Sequence, residues 1–295
     1  MAKAYTFANA HSSYALLLEE ILELGKPQSS RVGDTLELED VMITFTDPVK
    51  TFTPRRKGSM PLIGEVEGAQ LVSGFAANEL MVDLFPKYSE YSDFWGAYGK
   101  RLAAQNQLEI LFETLKNDPQ TRRGIVTMWN PALDARGGHS DHPCTIGIGF
   151  RVRDGALNMS VIMRSNDIFL GSTYDFVQFA MLQQTFATAL GLESGTYTHV
   201  AQSLHLYTRD IEAATAIIYN ADETYKAYAR AHPPEVILPL SLPGWSYEDI
   251  HFEGIGALVA DQPVRTVAGQ HIKEGIATRL KKLRTVDEPI ISEIS

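Results

Sequence analysis

The chain has a single cysteine, Cys144, among 295 residues, which excludes an internal disulfide framework. No Cys/His grouping has the spacing of a zinc site. Basic residues are in the minority, 26 Lys and Arg against 36 Asp and Glu, for a formal net charge of −10. A protein that grips a nucleic-acid backbone needs a basic face, so this balance argues against that class. A local basic pocket around one small phosphate remains compatible with it. No apolar run is long enough to span a bilayer, and the N-terminal stretch through Ile21 meets acidic residues too early for a secretory leader. The expected location is cytoplasmic. There is no Pro/Gly/Ser-rich linker, low-complexity run or internal repeat, so a single domain over 1–295 is expected. With 44% hydrophobic residues the chain has ample apolar mass for a large core.

What is present is concentrated between His142 and Asp175, in HPCTIGIGFRVRDGALNMSVIMRSNDIFLGSTYD. Cys144 follows Pro143. Two strand-like runs, Ile146 to Val152 and Leu157 to Met163, flank the turn signal Arg153-Asp154-Gly155. The second run delivers Arg164, Ser165 and Asp167, and past Gly171 the chain reaches Tyr174-Asp175 and a helix-like stretch. A nucleophile, an anion binder and a carboxylate thus fall on neighbouring ends of one hairpin, an active-site layout.

Around this segment the pattern predicts a helix over Ser13 to Leu24, stopped at Gly25-Lys26-Pro27, then a polar turn at Arg31-Val32-Gly33-Asp34 and a strand from Leu36 to Phe45. Arg31 reads equally as a solvated turn residue or an anion ligand. Pro54 to Gly58 is a basic loop. Leu62 to Ala77 reads as a helix carrying Glu65 and Glu67, acids that on such a helix usually face solvent. Phe94 to Lys100 reads as loop, Gln105 to Lys116 as an amphipathic helix, and Gly124 to Trp129 as a strand. The pair Arg122-Arg123 before that strand is either a polar strand entrance or a bidentate phosphate grip. Phe176 to Leu190 is predicted as a central helix ending at Gly191. Ser203 to Tyr207 alternates as a strand that sets His205 and Tyr207 on one side. Further strands are expected at Pro234 to Leu242 and Ser246 to Phe252.

These pieces, in this order, resemble the thymidylate synthase family. The resemblance is carried by Ser30-Arg31-Val32-Gly33, by Asp118 through Arg123 and on to Trp129-Asn130-Pro131, and by Pro143-Cys144. It continues in Arg164 through Gly171, His205-Leu206-Tyr207 and Tyr247 through Gly254. It covers roughly Ser13 to Gly254 and leaves 255–295 as an extension of unknown role. It implies an α/β (α+β) fold, a mixed sheet with flanking helices, paired through its sheet as a homodimer. It also implies a pyrimidine nucleoside monophosphate as substrate and 5,10-methylenetetrahydrofolate as one-carbon donor. Cys144 would add to pyrimidine C6 as a thiolate, favoured by nearby arginines. Arg31, Arg164, Ser165 and, from the second subunit, Arg122 and Arg123 would hold the phosphate. His205 and Tyr207 would bind the sugar hydroxyl, Asp167 would lie near the pterin, and Tyr98 would join the proton network. Glu65 matches the family's catalytic glutamate, with Glu67 as the alternative.

The departures narrow the reading. Thymidylate synthases carry asparagine where this chain has Asp175, and histidine where it has Thr145. Asparagine reads uracil; a carboxyl group can accept from cytosine N4–H and, when protonated, donate to N3. Both departures are similar to the deoxycytidylate hydroxymethylases of phages and to enzymes that act on CMP, and a phage origin would make the location a host cytoplasm. The helix around Glu65 also lacks the tryptophan that thymidylate synthases place near the pterin, which favours water as the final partner of the exocyclic methylene. The expected product is thus a 5-hydroxymethyl cytidine monophosphate, from dCMP rather than CMP. The alternatives are a dCMP methylase or a dUMP-methylating thymidylate synthase on the same fold, a DNA cytosine methyltransferase, and an inactive nucleotide-binding relative. The competing view of Asp175 itself is a helix N-cap before Phe176.

Overall fold

Alternation of apolar and polar residues makes Gly33–Phe45 (β3) a long strand, and it is the seam on which the N-terminal part is assembled. The computed structural model describes residues 3–48, 61–73, 95–136, 138–139 and 141–219. Lys3–Phe7 (β1) runs parallel to β3, and Ala10–Leu24 (α1) crosses between them. The helix stops where Gly25 and Pro27 say it must, but the chain goes straight into a strand, Lys26–Ser30 (β2), antiparallel to β3. Pro27 is tolerated there because β2 is an exposed edge. Neither β1 nor β2 is evident in the sequence pattern.

Beyond β3 come Pro61–Ser73 (α2), Tyr98–Ala103 (α3), Gln107–Asn117 (α4), Ile125–Thr127 (β4) and the short Pro131–Asp134 (α5). The segment read as loop up to Lys100 is therefore helical from Tyr98, after a turn at Trp95-Gly96. Thr145–Arg153 (β5) and Ala156–Met163 (β6) form the expected hairpin. Its two-residue loop, Asp154-Gly155, has both φ angles positive, 52° and 77°, the backbone a tight right-twisted hairpin demands. Asn166–Asp167 (β7), Ser172–Leu190 (α6) and Glu193–Tyr207 (β8) complete the site-bearing region, and 211–219 is helical. The sheet order is β1-β3-β8-β6-β5-β4, with β2 on β3 and β7 on β8. It is mixed: β3 is antiparallel to β8, while β6 and β7 run parallel to β8. The strands expected at 234–242 and 246–252, and the basic loop at 54–58, lie outside the described residues.

Every residue of α6 from Ser172 to Ala187 is buried. One side of it packs against the sheet through Phe176, whose ring meets Phe45 edge-on at 5.1 Å and His199 at 5.2 Å. The other side receives α2, and the contact is close because α2 presents glycines. A Cβ at Gly64 would lie 3.0 Å from Val177 Cβ and 3.3 Å from Tyr174 Cα; one at Gly68 would lie 2.6 Å from Met181 Sδ and 3.2 Å from Gln178 Cα. This glycine face sets α2 low enough for Glu67 to reach α6.

Gly68→Val is therefore expected to force the two helices apart, costing about 1–3 kcal/mol. Calorimetry should show a lowered Tm. An unchanged Tm would mean that the close approach is not required.

Candidate active site

The site gathers where β5 begins, β6 ends, β7 lies and β8 ends. Cys144 stands directly before β5, and a register irregularity between Thr145 and Gly147 re-aims the backbone just past it. Arg164 ties this corner together. Its amide donates to Cys144 O at 2.9 Å, Nε to Pro143 O at 3.0 Å and Nη2 to His142 O at 3.3 Å, and its guanidinium lies 5.3 Å from the Trp129 ring centroid. The arginine thus shapes the nucleophile's loop as well as offering charge. Ser165 follows, half-buried, between β6 and β7.

The loop that carries Cys144 is anchored from behind by Asp134. Its carboxylate accepts from Arg101 Nη1 at 2.6 Å and Nη2 at 2.8 Å, from Trp95 Nε1 at 3.0 Å and from the Asn130 amide at 2.8 Å. Burial opposes ionisation there, but the hydrogen bonds and the Arg101 charge win and hold Asp134 down to about 2. His139 stacks on Trp95 at 3.8 Å and meets His142 edge-on. This anchor is not evident in the sequence, because its members are scattered over 48 positions of unrelated local pattern.

Cys144 itself departs from expectation. Burial pushes its thiol up to about 11; Arg164 pulls the other way, and the carboxyls of Asp175, Asp141 and Asp167 add to the rise. In the isolated chain the resting group is a thiol, and the expectation that neighbouring arginines hold a thiolate is reversed. Arg164 there offsets the charge of several acids.

Asp175 lies one turn inside α6, whose N-cap is Gly171, so it is not the cap of that helix. It is 7% exposed, and its carboxyl is driven well above the usual carboxylate range, first by burial and then by the charge of Glu67. Asn166 Nδ2 donates to Oδ2 at 2.7 Å and Gln178 Nε2 to Oδ1 at 2.9 Å. The same Gln178 nitrogen lies 3.4 Å from Glu67 Oε2, so Glu67 reaches the site. The side chain of Glu65 lies outside the described residues. Tyr98 is in the group as well: its ring stacks on Phe179 at 6.0 Å, and burial, then the charges of Asp175 and Cys144, raise its hydroxyl well above 10.

Asp167 pairs in register with His205. Its Oδ1 caps the entry to α6, accepting from the amides of Phe169 at 2.9 Å and Leu170 at 3.1 Å, while burial raises its pKa. Tyr14 on α1 donates to Phe169 O at 3.0 Å and fixes the same turn. His205 and Tyr207 share a face as expected, with rings edge-on at 5.3 Å. His205 Nδ1 lies 3.5 Å from Ser203 Oγ, which itself donates to Glu37. Because Thr35 pairs with Tyr207, the turn bearing Arg31 comes to the end of β8 that carries His205 and Tyr207. Arg209 pins it there, with its guanidinium 4.0 Å from the Tyr207 ring centroid and Nη1 donating to Val32 O at 3.3 Å. Nothing in the sequence spacing marks Arg209.

Arg122 and Arg123 do not join this group. They precede β4, which pairs with the middle of β5 (Ile125 with Gly149), and the adjacent Gly124 accepts from Phe150, well along β5 from Cys144. Both are exposed; Arg123 forms a 3.8 Å ion pair with Asp118, and its Nε donates to Thr121 Oγ1 at 3.5 Å.

The raised thiol makes a direct expectation. Alkylation of Cys144 by iodoacetamide in the ligand-free protein should be slow at neutral pH and still climb about tenfold per pH unit up to roughly pH 10, since only the thiolate reacts. A rate that levels off below the ordinary thiol value of 9.0 would show that the thiol is not raised.

Comparison with known proteins agrees with this arrangement. The thymidylate synthase family profile matches residues 12–254. The chain is 28% identical over 249 residues to the deoxyuridylate hydroxymethyltransferase of Bacillus phage SP01, covering 74% of this chain and 65% of that protein. It is 29% identical over 219 residues to the thymidylate synthase of Corynebacterium aurimucosum, covering 68% and 79% of the two chains. With the thymidylate synthase of Bacillus licheniformis it shares 32% over 145 residues, 46% of this chain and 51% of the other. The chain spans just under two thirds of the phage protein's length. Among the described residues no helix is long and apolar enough to cross a membrane. With its α/β architecture of a mixed sheet and flanking helices, the chain belongs to the thymidylate synthase family, whose enzymes take their one-carbon unit from methylenetetrahydrofolate.

Proposed function

We propose that the chain, as one domain, transfers a one-carbon unit to C5 of a cytidine monophosphate, dCMP in preference to CMP, and releases the 5-hydroxymethyl nucleotide. The observation that carries this reading is Asp175. Asp175 is only 7% exposed, burial and the charge of Glu67 push its carboxyl toward the neutral form, and both of its protein partners are N–H donors. Its own O–H therefore remains for the base, where it donates to N3 while an oxygen accepts from N4–H. A second reading is hydroxymethylation of dUMP. It is favoured by the name of the phage relative and by the fact that a neutral carboxyl can also donate to uracil O4.

Methylenetetrahydrofolate, when bound, supplies the one-carbon unit. The residues present fit it: Asp167 commits only Oδ1 to the turn that enters α6, which leaves Oδ2 for the donor edge of a pterin. Cys144 attacks C6, so that C5 becomes an enamine-like carbon; once the new carbon bond forms, the C5 proton leaves and the one-carbon unit parts from its carrier as an exocyclic methylene on C5, to which water adds as the thiolate is expelled from C6. Glu67 takes the role of the family's catalytic glutamate, since it is the α2 acid that reaches Gln178 and acts on Asp175. Tyr98, beside Cys144 and Asp175, holds a proton at the same edge. Arg31, Arg164 and Ser165 bind the phosphate, His205 and Tyr207 the sugar. Arg122 and Arg123, placed far along β5, serve the neighbouring site of a homodimer.

Mass spectrometry of dCMP, CMP and dUMP incubated with the protein and methylenetetrahydrofolate tests base, sugar and product together. A 5-hydroxymethyl product from dCMP is expected. Product from dUMP alone would establish the second reading, and a 5-methyl product would replace water by hydride at the last step. Asp175→Asn is expected to lower dCMP turnover relative to dUMP by about tenfold to a hundredfold, because one mispaired buried group costs roughly 1–3 kcal/mol. An unchanged ratio would remove Asp175 from base reading.

A shared site makes a separate expectation. An Arg122→Ala/Arg123→Ala chain mixed with a Cys144→Ala chain should regain activity, since one site of the mixed dimer keeps both the arginines and the thiol. Equal inactivity before and after mixing would place the arginines elsewhere.

A further inference from the structure

Behind Asp175 runs a line of polar side chains buried in what is otherwise apolar core. Tyr197 and His199, on the inner face of β8, are both 0% exposed; Asn166 is 2% exposed and Ser172 0%. Tyr197 OH lies 2.8 Å from His199 Nδ1, and His199 Nε2 lies 3.0 Å from Asn166 Oδ1. Asn166 Oδ1 also accepts from Ser172 Oγ at 2.5 Å, while its Nδ2 donates to Asp175 Oδ2 at 2.7 Å. None of this chain is evident from sequence spacing, and the mechanism above uses none of it beyond Asp175.

The direction of the hydrogen bonds follows from the far end. Among the described residues the Tyr197 hydroxyl has one polar partner, His199 Nδ1, so its proton is spent there. Nδ1 is then the acceptor and Nε2 carries the hydrogen of a neutral ring, in keeping with burial, which drives His199 down to about 3. Nε2–H points at Asn166 Oδ1, and the amide must turn its Nδ2 toward Asp175. The opposite direction is almost as well formed: Asn166 reversed would donate to His199 Nε2, Ser172 could turn its hydroxyl to Asp167 O at 3.2 Å, and Asn166 Oδ1 would accept the proton of Asp175. What the reversed state lacks is a place for the Tyr197 proton, a buried donor left without an acceptor.

We propose that Tyr197 and His199 are positioning residues: by holding Asn166 as a donor they keep the Asp175 proton outside the network and available to the pyrimidine. They touch no reacting atom; they fix which way a distant acid presents its hydrogen. The inference rests on the reading that Asp175 meets the base edge, but not on which pyrimidine is bound, because that proton serves N3 of cytosine or O4 of uracil alike.

The test uses the full-length protein and the kcat/KM values for dCMP and dUMP. Tyr197→Phe keeps the ring against Phe45, 5.4 Å away and edge-on, and removes only the hydroxyl. It is expected to lower kcat on dCMP and on dUMP alike by about tenfold, because the hydrogen of the acid is no longer held outward. KM, set mainly by phosphate contacts, should change little. His199→Leu should lower kcat in the same way, whereas His199→Gln, which offers both an acceptor and a donor, should retain it. Rates are taken per folded molecule, with the folded fraction measured by circular dichroism. A Tyr197→Phe kcat within twofold of the parent overturns the inference, and so does a loss in His199→Gln equal to that in His199→Leu. A parent protein that prefers dUMP overturns the cytosine reading alone, and the kcat of Tyr197→Phe on dUMP then decides the inference.

Discussion

A carboxyl group enclosed between a helix and a sheet has to be matched by partners on both oxygens, and much of this molecule meets that requirement for Asp175. Burial alone would make the site costly. Asn166 and Gln178 supply one N–H to each oxygen, while burial and then the nearby charge of Glu67 raise the carboxyl's pKa. For Gln178 to bridge Asp175 and Glu67, α2 must ride close on α6, which is why Gly64 and Gly68 face Val177 and Met181. For Asn166 to reach it, the two-residue strand Asn166–Asp167 must lie beside β8 in parallel register. The packing of two helices and the pairing of one strand thus converge on a single acid.

The nucleophile is governed by a different balance. Cys144 sits at a corner whose shape is set by Arg164 in front and by Asp134, Arg101 and Trp95 behind. The charges nearest the thiol within one chain are mostly negative, so the raised pKa follows from the site's composition as much as from burial. A thiol that stays protonated at rest is protected from oxidation and adventitious alkylation. It also means that the step forming the thiolate has to be coupled to the ligand or to cations from outside the described chain. The exposed Arg122-Arg123 pair, at the entrance to β4 beside the middle of β5, fits the second possibility.

Much of this was legible in the sequence, for physical reasons that can be named. The hairpin of β5 and β6 is marked by alternation and by Asp154-Gly155, whose positive φ angles few other residue pairs accept. The core helix α6 is marked by an apolar run and by Gly191, which closes it in the left-handed conformation. Motif order fixed the family and placed Cys144, Arg164, Asp167, Asp175, Tyr98, His205 and Tyr207 within one region. What failed was local signal overridden by pairing. Lys26-Pro27 reads as a helix stop, and it is one, but β3 also recruits it as an edge strand. Lys3–Phe7 is too short to stand out until β3 lies beside it. Periodicity could not say where Glu65 and Glu67 point on a helix buried on most sides, because the glycines rather than the acids decide which face meets α6. The polar line from Tyr197 to Asn166 was invisible because each member alone looks like an ordinary strand residue.

The exchange of asparagine for aspartate at a base-reading position is less decisive than it first appears. An amide has a fixed donor and a fixed acceptor, and which end faces which edge is set once by its neighbours. A neutral carboxyl group has a donor that can sit on either oxygen, so in isolation it pairs with cytosine or uracil equally well. Selectivity then has to come from whatever decides where that hydrogen lies. In this protein both oxygens already receive N–H groups, from Asn166 on one side and Gln178 on the other. The hydrogen is thereby confined to the remaining lone pairs, and the surrounding amides, not the acid, carry the information about the base. Those amides are oriented in turn by Glu67 on α2 and by His199 and Tyr197 on β8. Base choice in such a site belongs to the buried lattice behind the carboxyl group, and an acid at this position names a pyrimidine only together with the donors that hold it.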